Sequence, residues 1–479
     1  MNNNEDNLIL FLDDWFIQRR ENLHRKIGRP KLRSDGIYVD PVLDVSWGYP
    51  TVFKEEKTGV WRCLYQGQLD KKHTPSGRRM QHIPAILESE DGVEWEAPDL
   101  SKNDDTPDRI CKHQVLPQKG FGEWGPCFYD EHTSDPNQRI KAFVSSFGQM
   151  NHSPLYVSPD GISWELVEDA SWHPYGIDPA VSAFWNSIQN KYTISARPKH
   201  GDRRISIYQT NDWKTFTEPH VAVRTDAQDY PASEVYGMPV FPYFNMYIGL
   251  LWIYQTSQII NSPHKFFHGK VTCQLAYSYN GLHFQRSLRK EFLPLAEPGE
   301  FGYGCIYPSS MHVTKDKKIR IYSSASKGEH AQILARPDQG EGAILLHELR
   351  LDGFCYLESH GGPGSFTTRL LLINGEKLNL NIQAPQGEVL LQISDPSGKP
   401  FEGFTFNDFI PIKGDDIDLI PEWKNKRTLK DLIQKVVRFD VKLFNSRIYS
   451  IRGNFLPIQG HEFRIFTETG KHPDKIYEL

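Results

Sequence analysis

At 479 residues, 38% hydrophobic and 24% charged, the chain is too long for one ordinary core, and two or more domains are expected. A formal net charge of −5 argues against the basic surface of a non-specific nucleic-acid binder, so no nucleic-acid partner is expected. No apolar run approaches the roughly 18 residues of a membrane span, and no membrane partner is expected. Six scattered cysteines (Cys63, Cys111, Cys127, Cys273, Cys305, Cys355) include no CxxC pair, which excludes a zinc ribbon and a disulfide framework and points to buried thiols. The start, MNNNEDNLILFLDDWF, is acidic and its apolar run is too short for a signal peptide, so a cytoplasmic protein is expected.

In chain order, Leu8–Phe16 reads as a strand, expected to tie a closed ring shut beside the chain's last blade. Residues 19–33 are basic and read as an exposed crossing segment. From residue 45 to 350 the sequence alternates β-branched and aromatic residues with polar ones and shows little helical periodicity. Four short stretches recur within it: SEDGVEW from Ser89, SPDGISW from Ser158, TNDWKTF from Thr210 and SYNGLHF from Ser278. Each is a hairpin turn in which Asp or Asn bonds the backbone two residues on, usually beside a glycine at φ > 0, and a Trp or Phe anchors the outgoing strand. A β-unit repeating at that interval indicates a propeller, and five blades fit the strand count. After Leu351, amphipathic strands with NGEK and DPSG turns indicate an antiparallel sandwich, with one short helical turn at Leu429–Ile433. The expected fold class is all-β, a five-bladed propeller over residues 1–345, a sandwich over 346–459 and a tail or strap over 460–479.

In a propeller the first strand of each blade lines the axis, so the starts of those strands converge. Asp178 lies seven residues before Trp185 in the third blade, and Glu234 seven before Phe241 in the fourth. Two carboxylates at equal depth in adjacent blades suit glycosidic cleavage, where one carboxyl protonates the leaving oxygen and another activates water or attacks carbon. Taken singly, Asp178-Pro179 reads as a loop turn and Glu234 as a rim ion pair. The same count in the first blade falls on Ser46, with Asp44 the nearest carboxylate, and in the second on Gly122, with Glu123 adjacent. Asp229 and His152 are further polar candidates, Arg197 can hold a substrate hydroxyl or carboxylate, and Trp47, Trp124 and Tyr236 are candidate sugar-stacking rings. Arg203 and Arg204 read as a solvated turn beside His200. No spaced metal-ligand set is present, and neither a metal nor another cofactor is expected.

A five-bladed propeller followed by a sandwich, with Asp178-Pro179, Glu234 in SEVYG and the TNDWKTF hairpin, resembles the clan of invertases, arabinanases and levansucrases, glycoside hydrolase families 32, 43 and 68. The resemblance implies an O-glycosyl hydrolase acting on an oligo- or polysaccharide. Glu234 would be the general acid, Asp178 would stabilise the transition state or tune the acid, and Asp44 or Glu123 would be the base or nucleophile. The invertase signature WMNDPNG is absent, which speaks against a fructose substrate. Two other readings are a glycoside phosphorylase, for which Arg197, His200, Arg203 and Arg204 are the available cations, and a non-catalytic carbohydrate-binding propeller.

Overall fold

The computed structural model describes residues 6–69, 82–103, 109–115, 123–145, 153–172, 181–197, 202–259, 267–330 and 341–473. The chain is all-β, a propeller and a sandwich. It divides into two compact units, residues 29–349 and residues 1–28 with 350–479.

In the first unit the described strands form successive antiparallel meanders. The first contains Thr51–Lys54, Trp61–Leu69 and His82–Ser89, and the second Phe128–Tyr129, Ile140–Ser145, Ser153–Ser158 and Glu165–Trp172. The third is Ser182–Asn186, Lys191–Ala196, Ile205–Thr210 and His220–Val223. Next come Ser233–Gly237, Met246–Ile259, Phe267–Ser278 and Gln285–Leu293, joined by one parallel pair, Val271 with Cys305, to Cys305–Val313, Lys318–Ser326 and Gly342–Arg350.

The repeated hairpins have the expected chemistry. Asp91, Asp160, Asp212 and Asn280 each accept two backbone N–H groups, two and three residues on, at 2.8–3.1 Å. Gly92, Gly161 and Gly281 sit at φ of 74°, 82° and 73°, and Trp213 takes the same place at 60°. Each hairpin also packs against a neighbouring meander. The Gly92 carbonyl accepts from Tyr322 Oη at 2.7 Å, that of Asp160 from Arg62 at 2.7 Å, and that of Asn280 from Asn186 at 2.8 Å. The Trp213 ring lies 5.7 Å from Phe128. A turn formed by local chemistry therefore also serves as a staple between sheets.

The closing strand differs from expectation. Asn7–Leu10 pairs with Arg447–Pro457, and Ile17–Glu21 with Gly364–Thr368, so residues 1–28 belong to the sandwich. The strand that completes the last meander is Lys31–Tyr38, paired with Gly342–Arg350. Its sequence, KLRSDGIY, carries charges because it is an edge strand with one face to solvent.

The sandwich is built around Leu371–Ser394, a 24-residue strand. Its first half pairs antiparallel with Arg447–Pro457, and its second half, from Glu388 opposite Phe444 to Ser394 opposite Arg438, pairs with Val436–Phe444 in reverse order. Leu429–Leu432 forms the expected helical turn, capped by Thr428. Residues Gly460–Thr469, read as a tail, are an α-helix. Phe463 and Phe466 pack on Leu372, Val436 and Ile458, and Gly470 closes the helix at φ 68°. All six cysteines are buried.

Candidate functional site

Glu234 lies on Ser233–Gly237, opposite Tyr254, on a strand that is bulged between Val235 and Gly237. A bulge turns the following side chains away from the regular pleat and recurs next to active sites. Arg203 precedes the third strand of the previous meander, and its carbonyl accepts the Val235 N–H at 3.3 Å. That contact places its guanidinium beside Glu234, and Nη1 donates to Oε2 in an ion pair about one-third exposed at each end. The Arg203 guanidinium carbon also lies 5.3 Å from the Tyr254 ring and 5.9 Å from the Tyr236 ring. Arg197, 3% exposed, places its guanidinium 4.4 Å from the Tyr236 ring. Two cations thus share one aromatic ring next to a carboxylate.

His330 completes the group. Its ring centroid is 4.8 Å from Tyr236, 4.9 Å from Tyr254 and 5.1 Å from Trp47, and Nδ1 is 3.0 Å from Tyr307 Oη. Burial, with the charges of Arg203 and Arg197 added, lowers the imidazole to about 3, so it is neutral at neutral pH. Burial raises the Tyr307 hydroxyl, which keeps its proton. The loop carrying His330 is fixed by its N–H to Gly269 O at 2.8 Å. Close packing at Gly304 also holds it, since a Cβ there would stand 1.8 Å from Gly328 O. Gln66, 1% exposed, donates to Trp47 O at 2.9 Å and accepts the Trp124 N–H at 3.1 Å, tying the first two meanders together at this end.

The sequence candidates separate as follows. Glu234, Arg197, Tyr236 and Trp47 come together, Trp47 through His330. Trp47 and Tyr236 are 9% and 6% exposed and pack with Tyr49, Trp252 and Tyr307, so little of either ring face is open for stacking. Trp124 is 2% exposed and packs against Trp164, which makes it a core ring. Asp229 bonds Arg286 through both oxygens and pairs with Arg289 at 3.6 Å; with side-chain exposure of 5%, it ties the turn before Ser233–Gly237 to the strand Gln285–Leu293. Asp44 is half-buried, and its Oδ1 accepts the Ser46 N–H at 2.8 Å. Glu123 lies on a short strand paired with Ser145, and its side chain is outside the described set. Asp178, His152 and His200 lie outside the described residues. Arg204 turns to Asp202, as a solvated turn would, whereas Arg203 reaches Glu234. His330 is not among the sequence candidates, and Arg203 enters them only as part of a solvated turn or as a phosphorylase cation; the partners of both are distant in the chain. Among the described residues, no group of three or more His, Cys, Asp and Glu could hold a metal ion.

No protein-family model and no curated protein matches the chain. Among solved structures it is similar to a thermostable family-43 glycoside hydrolase, at 14% identity over 68% of this chain and 96% of that one, TM-score 0.43. It is similar to an endo-arabinase from Bacteroides thetaiotaomicron, at 11% identity over 63% and 95%, TM-score 0.40. It is also similar to a GH32 beta-fructofuranosidase of Bombyx mori, at 11% identity over 89% and 93%, TM-score 0.40.

Proposed function

We propose that the propeller unit is a glycoside hydrolase and that Glu234 is its general acid. The observation that carries this reading is Glu234 itself, a partly exposed carboxylate on a bulged strand, paired with the Arg203 guanidinium, which in turn faces Tyr254 and the Tyr236 ring where Arg197 and a neutral imidazole meet. Protonating a leaving oxygen needs a carboxyl that keeps one oxygen free. Arg203 engages Oε2, so the proton would be carried on Oε1. Asp178 would stabilise the transition state, and Asp44 or Glu123 would act as base or nucleophile. Separations of about 5–5.5 Å between acid and partner would mean retention, and about 6.5–9.5 Å inversion. The ring would be closed by five blades, and the substrate would be an oligo- or polysaccharide.

The test is Glu234→Gln, assayed on a glycan that the wild type cleaves and on an aryl glycoside with an activated leaving group. Loss of a general acid lowers kcat on the glycan by roughly 10²–10⁴-fold. It spares the activated substrate, whose leaving group needs no proton. Equal activity of variant and wild type on the glycan refutes the assignment. One observation favours a second reading, a glycoside phosphorylase: Arg197 and Arg203 meet at Tyr236, where an attacking phosphate could be held. Turnover that requires inorganic phosphate and releases a sugar 1-phosphate would select it.

A further inference from the structure

We propose that the sandwich unit carries a second binding site, a cleft that takes an anionic saccharide. The cleft has a volume of about 480 Å³ and lies beside Val436–Phe444, with Gln18 and Arg19 on its rim. Alternation along VVRFDVKLF sends Val437, Phe439, Val441 and Leu443 into the core, fully buried. It sends Arg438, Asp440 and Lys442 to the other face, which lines the cleft.

The charges in this row do not cancel by pairing. Among the described residues, Asp440 is the only acidic one lining the cleft, and it accepts neutral donors: Ser394 Oγ at 2.7 Å, Thr367 Oγ1 at 2.8 Å and Gln392 Nε2 at 3.4 Å. Arg438 is half-buried and donates only to neutral oxygens, those of Gln18, Thr368 at 3.0 Å and Pro396 at 3.4 Å. Lys442 Nζ lies 4.2 Å from the Phe406 ring centroid. Among the described residues neither cation forms an ion pair within 4.0 Å. Burial lowers the Arg438 guanidinium from its ordinary value, and the charge of Asp440 on the same face offsets that loss only in part. A desolvated cation facing a cleft is compensated when a ligand brings the anion.

The volume lies in the range of small-ligand sites. The polar fringe of Gln18, Gln392 and Ser397 suits hydroxyls. A sugar bearing a carboxylate or a sulfate meets both demands. The saccharide part rests on the glycosidase reading, whereas the anion part rests on the cleft alone.

The experiment uses the full chain carrying Glu234→Gln, so that hydrolysis does not consume the probe. Calorimetry measures binding of a galacturonate trisaccharide, a sulfated galactose trisaccharide, the neutral galactose trisaccharide and inorganic sulfate. At least one acidic trisaccharide is expected to bind and the neutral one not. Adding Arg438→Gln or Lys442→Gln should each weaken binding of that acidic trisaccharide about tenfold, the loss of one charge-assisted hydrogen bond. Lys442 is exposed, so its variant preserves the test if the Arg438 variant shifts the strand. Unchanged affinity in the Lys442 variant and in a folded Arg438 variant overturns the proposal. So does equal binding of the neutral trisaccharide, and so does inorganic sulfate binding as tightly as the acidic sugars. Hydrolysis surviving Glu234→Gln would sink the acid assignment and leave this binding result standing.

Discussion

His330 makes the propeller acid-sensitive, and the size of the effect follows from its surroundings. In the unfolded chain the imidazole titrates near its ordinary 6.5; in the fold, burial and two neighbouring guanidinium groups lower it to about 3. Between those values the unfolded state holds a proton that the folded state lacks, so stability falls as pH falls. It is fully present above about 6.5 and declines toward 3. At pH 4.5, two pH units below the unfolded value, the loss is about 2.7 kcal/mol at 1.36 kcal/mol per unit. His330→Asn removes the titration and leaves Tyr307 a polar partner. His82 and His347, each lowered to about 4 by burial, have the same sign and cancel in the comparison. The assay is urea unfolding by tryptophan fluorescence at pH 7.5 and 4.5, following the propeller's transition, since Trp47 lies 5.1 Å from the imidazole. The wild type should lose about 2.7 kcal/mol more than the variant across this interval. Equal losses would refute the reasoning.

Two further substitutions probe the parts that position the site. Asp160→Ala removes both hydrogen bonds of its hairpin, at 2.8 and 2.9 Å, and should lower stability by about 1–2 kcal/mol in thermal or urea unfolding with little effect on any activity. Gly304→Ala puts a Cβ 1.8 Å from Gly328 O, so the loop bearing His330 must move. The expected result is a loss of at least about 2 kcal/mol, with a pH dependence of stability nearer that of the His330 variant. Wild-type stability with a wild-type pH slope would show that the loop is not held by this contact.

The parts of the fold legible in sequence are those set by local chemistry. Each hairpin is decided by a carboxylate or amide, the two N–H groups beyond it and a residue at positive φ, all within a few residues. Strands such as Cys305–Val313 and Lys318–Ser326 are nearly continuous buried runs and show their extent directly. Pairing partners are another matter. Leu8–Leu10 is apolar and would fill a strand position in either unit; nothing local selects Arg447–Pro457 as its partner. Lys31–Tyr38 was hidden by the opposite property. An edge strand facing solvent keeps its charges, and so loses the alternation by which strands are recognised.

The same division runs through the site. The expectation for Glu234 rests on a periodic signal, the phase of the repeated hairpins, which carries from one hairpin to the next. No such signal marks the pairing of Arg203 with Glu234, because HGDRR is polar throughout and the placement of Arg203 depends on a backbone contact, Arg203 O with the Val235 N–H, across 32 residues of chain. His330 is a single histidine in a polar loop, and its character comes from neighbours on four other segments, Trp47, Tyr236, Tyr254 and Tyr307. The carboxylate is therefore the part of the site that sequence periodicity reaches. The cations and the neutral imidazole, which determine the field around it, arise from tertiary contacts. A residue's chemical type can be read from the chain, but its charge state and partners depend on which segments meet.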